Sequence, residues 1–262
     1  MVSEAWADWL SYRPSDFLMF SPRTYWRLFE LHNLAWWPLQ VLALAAGAAG
    51  AVAVARAGAV AQRAVPWMLA AAWGFVAWYF HAERYAPINW AAVGLAWLFA
   101  AQALVLVGLA SLPAVPVLAG TSGAHLQRGH WRNAGAAPQR RWAAVALWLF
   151  ALVLYPCLAP LQGRPFAQSE VLGLAPDPTV VATLAWLLAT SGRAPTEVWR
   201  RLFRIAAWAL ALAAAAASAA TLATMGEPQA LGLVVAIVLA IVPAIAFGCR
   251  RRSSTSRVPS RQ

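Results

Sequence analysis

Residues 88–110 read INWAAVGLAWLFAAQALVLVGLA, 23 positions without a charge. As a helix rising ~1.5 Å per residue, this run is longer than a hydrocarbon core of ~30 Å is thick. It shows no period-2 alternation and no polar face, so neither a half-buried strand nor a surface helix accounts for it. Working outward in both directions, six more apolar segments appear, at 34–55, 64–81, 142–161, 178–191, 205–225 and 230–248. The expected fold is an all-α membrane protein, a bundle of about seven transmembrane helices. An irregular or re-entrant segment is expected before the fifth.

Composition supports the class. Of 262 residues, 62% are hydrophobic and only 11% charged, less than half the charge of an ordinary soluble domain. Mean hydropathy is +0.60. A soluble enzyme, a disordered chain and a disulfide scaffold are all excluded on these grounds. Three regions are expected: an interfacial segment over 1–33, a helical membrane domain over 34–248 and a basic disordered tail over 249–262. The opening MVSEAWADWL has no basic stretch leading into an apolar core, so no cleaved signal is expected.

Charge gives an orientation. All 20 basic residues are arginine, against nine acids, for a net +11. With seven spans, the N-terminal side holds five arginines (13, 23, 27, 84 and 164) and eight acids, a net −3. The opposite side holds fifteen arginines and only Glu197, a net +14. Loops rich in arginine stay in the cytoplasm. The expectation is therefore a multi-pass protein of a bacterial inner membrane, with its N-terminus outside and its C-terminus cytoplasmic. The partners expected are the bilayer, anionic headgroups at the arginine-rich face and a small solute. Nucleic acid is not among them, because membrane topology already accounts for the basic balance.

Several motifs stand out. Ser21-Pro22 reads as an N-cap with proline at the first helical position, opening a helix expected to run into the first span. Gly47 and Gly50 in the first segment, and the alanines 213–217 in the sixth, let neighbouring helices approach closely. Gln40 and Gln102 inside spans suit interhelical hydrogen bonds.

The fifth segment is the most distinctive. Its 14 residues, 178–191, follow Gly173-Leu174-Ala175-Pro176-Asp177, which cannot be regular helix throughout. Asp177 reads as an N-cap before Pro178. Thr179, Thr183, Trp186 and Thr190 fall on one helical face, a polar stripe of the kind that lines solute sites at broken helices. The preceding segment, with Phe166, Leu172 and Leu174, is expected to fold back against the bundle.

At the same face lie His32-Asn33 before the first segment, Trp78-Tyr79-Phe80-His81-Ala82-Glu83-Arg84 after the second, and Asn89 before the third. His32, His81, Asn89, Asp177, Thr179 and Thr183 are thus the candidate ligand-binding residues. Each has a plain structural reading beside the functional one: anchoring for His32, a polar turn for His81, capping for Asn89 and Asp177. No catalytic residue, cofactor or metal ligand set is indicated. Gly120-Thr121-Ser122-Gly123-Ala124-His125 has the GxSG look of rhomboid proteases but lies in a polar arginine-rich loop, so that reading is rejected. The two cysteines, Cys157 and Cys249, are expected at opposite faces and cannot pair.

The pattern His32-Asn33…Trp37-Pro38, then Trp78…His81…Ile88-Asn89, then Gly-Leu-Ala-Pro-Asp-Pro-Thr-Val-Val-Ala-Thr-Leu at 173–184 resembles a bacterial family of polytopic membrane proteins. The likeness extends over about 15–250. That family is catalogued as a domain of unknown function, with some members labelled permease, and it has aromatic residues where this chain has Glu83-Arg84. It brings no catalytic residues with it. The function expected is binding or transport of a small solute through the outer-facing half. The alternatives are a structural or regulatory membrane subunit, and an integral membrane enzyme, the latter weakened by the absence of any nucleophile or metal motif.

Overall fold

The computed structural model describes residues 19–56, 58–113, 136–191 and 198–255. The first eighteen residues, the GxSG-like stretch at 120–125 and the end of the basic tail lie outside the described residues. In chain order the elements are α1 (Pro22–Ala35), α2 (Leu39–Arg56), α3 (Ala59–Phe75) continuing as a π-helix (Val76–Tyr85), and α4 (Ala92–Ser111). Then come α5 (Ala136–Leu149), a short π-helical stretch (Phe150–Leu154), α6 (Tyr155–Leu161), α7 (Pro176–Thr190), α8 (Val198–Thr224) and α9 (Gln229–Thr255). Among the described residues there is no strand, only a single bridge between Leu172 and Ala175.

Among the described residues, four stretches are long and apolar enough to cross a membrane: Leu39–Arg56, Ala92–Ser111, Gln139–Leu161 and Val198–Thr224. The expectation of about seven is corrected to four, for physical reasons specific to the other three. In α3, Gln62, Arg63 and Pro66 dilute the apolar run. In α9 the described apolar stretch, Gln229–Ala244, is shorter. In α7 the 15 residues make ~22 Å of helix.

That short helix organises the whole molecule. Every residue of α7 except Ala189 is buried. A helix apolar on all sides belongs in the middle of a protein, and here α3, α5, α8 and α9 pack around it. It runs the depth of the bundle, from Asp177 beside Tyr155 of α6 to Thr190, whose carbonyl accepts from Arg204 Nη1 at 2.9 Å near the start of α8.

Small residues permit the tightest crossing. Trp148 Nε1 donates to the Gly47 carbonyl at 2.8 Å, and a Cβ on Gly47 would stand 2.5 Å from Leu152 Cδ1. Gln102 Nε2 donates to the Ala207 carbonyl at 3.3 Å, joining α4 to α8 as expected. Gln40 instead bonds back to the Asn33 carbonyl, at 2.7 Å.

The outer surface is apolar: Leu42, Leu104 and Leu231 are 65–71% exposed. Water would penalise such a belt and hydrocarbon would cover it. Exposed tryptophans lie toward both ends, with Trp37, Trp78 and Trp90 at one and Trp142 and Trp199 at the other, as at membrane interfaces, while Trp67 and Trp97 are exposed within α3 and α4. This is a helical membrane protein.

At its N-terminus the chain departs from expectation. Ser21 Oγ caps α1 by accepting from Thr24 N at 3.2 Å, as read. The helix does not continue into the first span. It ends at Ala35, and the chain turns through Trp36-Trp37-Pro38, with a cis bond at Trp37-Pro38. Proline lacks the N–H that a continuous helix needs and disfavours helical geometry in the residue before it. α1 is amphipathic, and Tyr25, Trp26, Leu28, Phe29 and His32 are buried against the bundle. Residues 22–33 therefore form a packed cap on one end of the bundle, the end named here for α1.

Candidate functional site at the α1 end

The segment between α6 and α7 lines the site. It is irregular and folded inward, with Ser169, Glu170, Val171, Leu172, Leu174 and Ala175 all buried. Its first part is exposed, at Gly163, Pro165 and Phe166, the last at 70%. Backbone held at this depth must be satisfied by protein, and three polar side chains do that. Asn33 Nδ2 donates to the carbonyls of Ala167 and Ser169, both at 2.8 Å. Ser169 Oγ donates to the Pro156 carbonyl at 2.7 Å. Thr179 Oγ1 accepts from Gly173 N at 2.9 Å and donates to the Ala175 carbonyl at 2.7 Å. Gly173 takes φ +88°, a conformation only glycine adopts without strain.

Asp177 is placed differently from its expected role. The N-cap is Ala175 and the helix begins at Pro176, so Asp177 lies in the first turn and caps nothing with its side chain. It still complements the positive helix end. It is fully buried, accepts from Tyr155 Oη at 3.2 Å through Oδ2, and has Ser218 of α8 beside it. Its Oδ1 has no hydrogen-bond partner among the described residues.

Glu170 is the second buried acid, 2% exposed, with Oε1 likewise unpartnered. Burial raises its pKa well above the usual carboxylate range, and the nearby charges of Asp177 and Glu227 push the same way, against the pull of Arg164. Arg164 stacks its guanidinium 3.4 Å from the centroid of the Trp26 ring. Its Nη2 donates to Gln162 Oε1 at 2.9 Å, while Nε and Nη1 have no partner among the described residues. Trp26 Nε1 in turn donates to Glu227 Oε1 at 2.8 Å. Tyr25, buried on α1, lies within electrostatic reach of Asp177, Glu170 and Arg164.

Of the residues singled out in the sequence, Asp177 is at the centre of this cluster and Asn89 at its edge. Asn89 Nδ2 donates to Tyr85 Oη at 2.9 Å, and Tyr85 is within reach of the Asp177 charge. Asn89 Oδ1 also accepts from Ala91 N at 3.1 Å, but the N-cap of α4 is Ala91, so Asn89 lies two residues before the cap rather than on it. Thr179 and Thr183 face the packing. Thr183 Oγ1 accepts from Trp73 Nε1 at 2.7 Å and donates to the Thr179 carbonyl at 2.8 Å.

His81, on the π-helix, is buried with both ring nitrogens unpartnered among the described residues, and its ring packs 4.5 Å from Phe99. Tyr85, 6.1 Å away, links it to the cluster. His32 is not an interfacial anchor. It is 1% exposed, edge-on to Phe75 and Phe80, and burial together with the Arg84 charge lowers its pKa to about 4. Glu83 accepts from Trp78 Nε1 at 2.9 Å, and among the described residues it forms no ion pair with Arg84. Among the described residues no three histidine, cysteine or acidic side chains converge as a metal site.

Sequence reasoning missed Glu170, Arg164, Tyr25 and Tyr155 as site residues. Glu170 and Arg164 figured only in the charge count and Tyr155 only as an interfacial aromatic. One signal was available: Glu170 stands directly before Val-Leu-Gly-Leu-Ala, an apolar context unusual for a solvated loop acid.

Residues 129–256 match the model of a family of unknown function (DUF6064). The match takes in α5 to α9, and with them Arg164, Glu170 and Asp177. It supports an uncharacterised family over a shorter stretch than the 15–250 read from the motifs. No curated protein and no solved structure matches the chain.

Proposed function

We propose that the protein binds a small cationic or hydrogen-donating solute in the half of the membrane bearing α1, through the Glu170–Asp177 pair. One observation carries this reading: two buried carboxyl groups, one in the folded-in segment and one in the first turn of α7, each keep an oxygen without a hydrogen-bond partner among the described residues. A buried acceptor left empty is costly, and polar groups inside a membrane domain mark solute or ion paths. Two acids against the single guanidinium of Arg164 favour a cation or a donor over an anion. Tyr155 and Tyr25 add hydroxyls that would fix its orientation.

The membrane is read as a bacterial inner membrane. The arginine count assigns the α1 end to the outside on the reading that the shorter α3, α7 and α9 cross together with the four long spans; that end is then net negative, and Arg56, Arg63, Arg141 and Arg201 sit against anionic lipid within the cytoplasmic leaflet. The solute then enters from outside, as in the permease reading of the related family. A reporter fused after Gln262 is expected to be active only in the cytoplasm.

The binding test uses the full chain in nanodiscs. Thermal unfolding is followed with sodium, potassium, guanidinium, ethylammonium and choline chlorides in turn. At least one should stabilise the protein, by about 2.7 kcal/mol at a hundredfold excess over its Kd, and that gain should vanish in Asp177→Asn. No stabilising cation, or equal stabilisation of the variant, would refute the reading.

A further inference from the structure

Between α2 and α3 lies an apolar cleft of about 270 Å³, in the half of the membrane that holds α1. Its walls include Leu42, Ala43 and Ala46 of α2 and Met68, Ala71 and Ala72 of α3, and its floor is Leu172-Gly173-Leu174 of the folded-in segment. The floor is wedged in place. A Cβ on Gly173 would meet Ala72 Cβ at 3.7 Å and Ala43 Cβ at 3.9 Å, so the loop tip sits between the two helices and holds them apart.

We propose that this cleft holds one acyl chain of a phospholipid from the leaflet at the α1 end. The occupant follows from what adjoins the mouth. Leu42 and Ala46 on one wall and Ala71 on the other are exposed. They run without a break into Val41 and Leu44, on a helix long and apolar enough to cross the bilayer. The cleft is thus continuous with the surface that hydrocarbon covers. Water is a poor filler, because almost the whole lining is side-chain carbon and a water needs two to four polar partners. A chain entering sideways from the bilayer needs none. The cleft shares no lining residue with the acid cluster, and its test is separate.

The experiment places the full chain in nanodiscs of phosphatidylethanolamine and phosphatidylglycerol that contain a phosphatidylethanolamine with a mid-chain diazirine. After irradiation, adducts are mapped by mass spectrometry. They should concentrate on Leu42, Met68, Ala72 and Leu172. Ala46→Trp, which plugs the mouth, should lower the yield at Met68 and Leu172 several-fold. Ala45→Trp, exposed on the same helix but outside the lining, should leave it unchanged. If Ala46→Trp fails to fold, Ala71→Phe on the opposite wall serves the same test. Adducts spread evenly over α2, α3 and α4, or a Met68 yield insensitive to the plug, would overturn the proposal. So would ready disulfide formation between two copies carrying Leu42→Cys in place of lipid adducts, because a second protein would then fill the cleft.

Discussion

Tyr155 Oη donates to Asp177 Oδ2 at 3.2 Å, and both side chains are sealed from solvent. The bond joins the end of the α5–α6 helical run to the start of the central helix, across the folded-in segment that contains Glu170. Ser218 of α8 lies beside the same carboxylate as a second hydroxyl. Tyr155→Phe removes the tyrosine bond while leaving the ring packed on Phe150. Stability should drop by on the order of 1–3 kcal/mol, the range for a bond to a charged or acidic group whose partner is then orphaned. Unfolding of the purified variant in detergent measures it, and an unchanged midpoint would mean that Asp177 finds another donor.

Thr183→Val separates packing from binding. It orphans Trp73 Nε1 and breaks the tie between α3 and α7, which should cost about 1 kcal/mol, typical of polar bonds between membrane helices. Cation stabilisation should persist, because Thr183 touches no part of the acid cluster. Loss of that stabilisation in Thr183→Val would return the threonine stripe to the binding site.

Glycine substitutions test the close crossing. Gly47→Ala puts a Cβ 2.5 Å from Leu152 Cδ1 and 3.0 Å from Leu172 Cδ2, so overpacking of about 1–3 kcal/mol is expected. Gly94→Ala in α4 meets nothing within 4 Å and should be neutral or stabilising by roughly 0.5–1 kcal/mol through helix propensity. Equal effects of the two on the unfolding midpoint would contradict the packing described.

Two groups outside the spans set opposite pH trends. The His32 pKa is held at about 4 in the folded protein, below its ordinary 6.5. The unfolded chain therefore binds the proton first, and stability is lost as pH falls from 6.5 toward 4. Glu170 is raised in the folded protein, so its contribution is present at low pH and declines as pH rises above the ordinary carboxylate range. His32→Phe should flatten the acid side of a stability profile and Glu170→Gln the side above it. A profile unaltered by either substitution would place both groups in contact with water.

Much of the fold was legible because membrane helices announce themselves locally. The run ending at Ala110 needed only its length and lack of charge, and α4 follows it closely. The proline-rich entry to α7 was legible too, since Pro176 and Pro178 restrict the backbone by themselves. The burial of α7 on every side was not, because a short apolar helix looks the same whether lipid or protein surrounds it. Asp177 drew notice through its proline neighbours, yet its cap was misplaced by two residues, a shift that turns a capping side chain into a buried one. Glu170, Arg164 and Tyr25 come from segments far apart in the chain or from an irregular loop, and they meet only through tertiary packing. No local pattern encodes that meeting. His81 and His32 attracted attention by residue type, and both turned out to pack against aromatic rings.

The most direct measurement is a double-mutant cycle on ligand-induced stabilisation, with wild type, Asp177→Asn, Glu170→Gln and the double variant unfolded with and without the best cation from the chloride series. If one solute bridges both acids, either single change should remove most of the stabilisation and the double variant should lose no more, a strongly non-additive cycle. Additive losses from the two changes, or stabilisation preserved in both single variants, would contradict a shared site at Glu170 and Asp177.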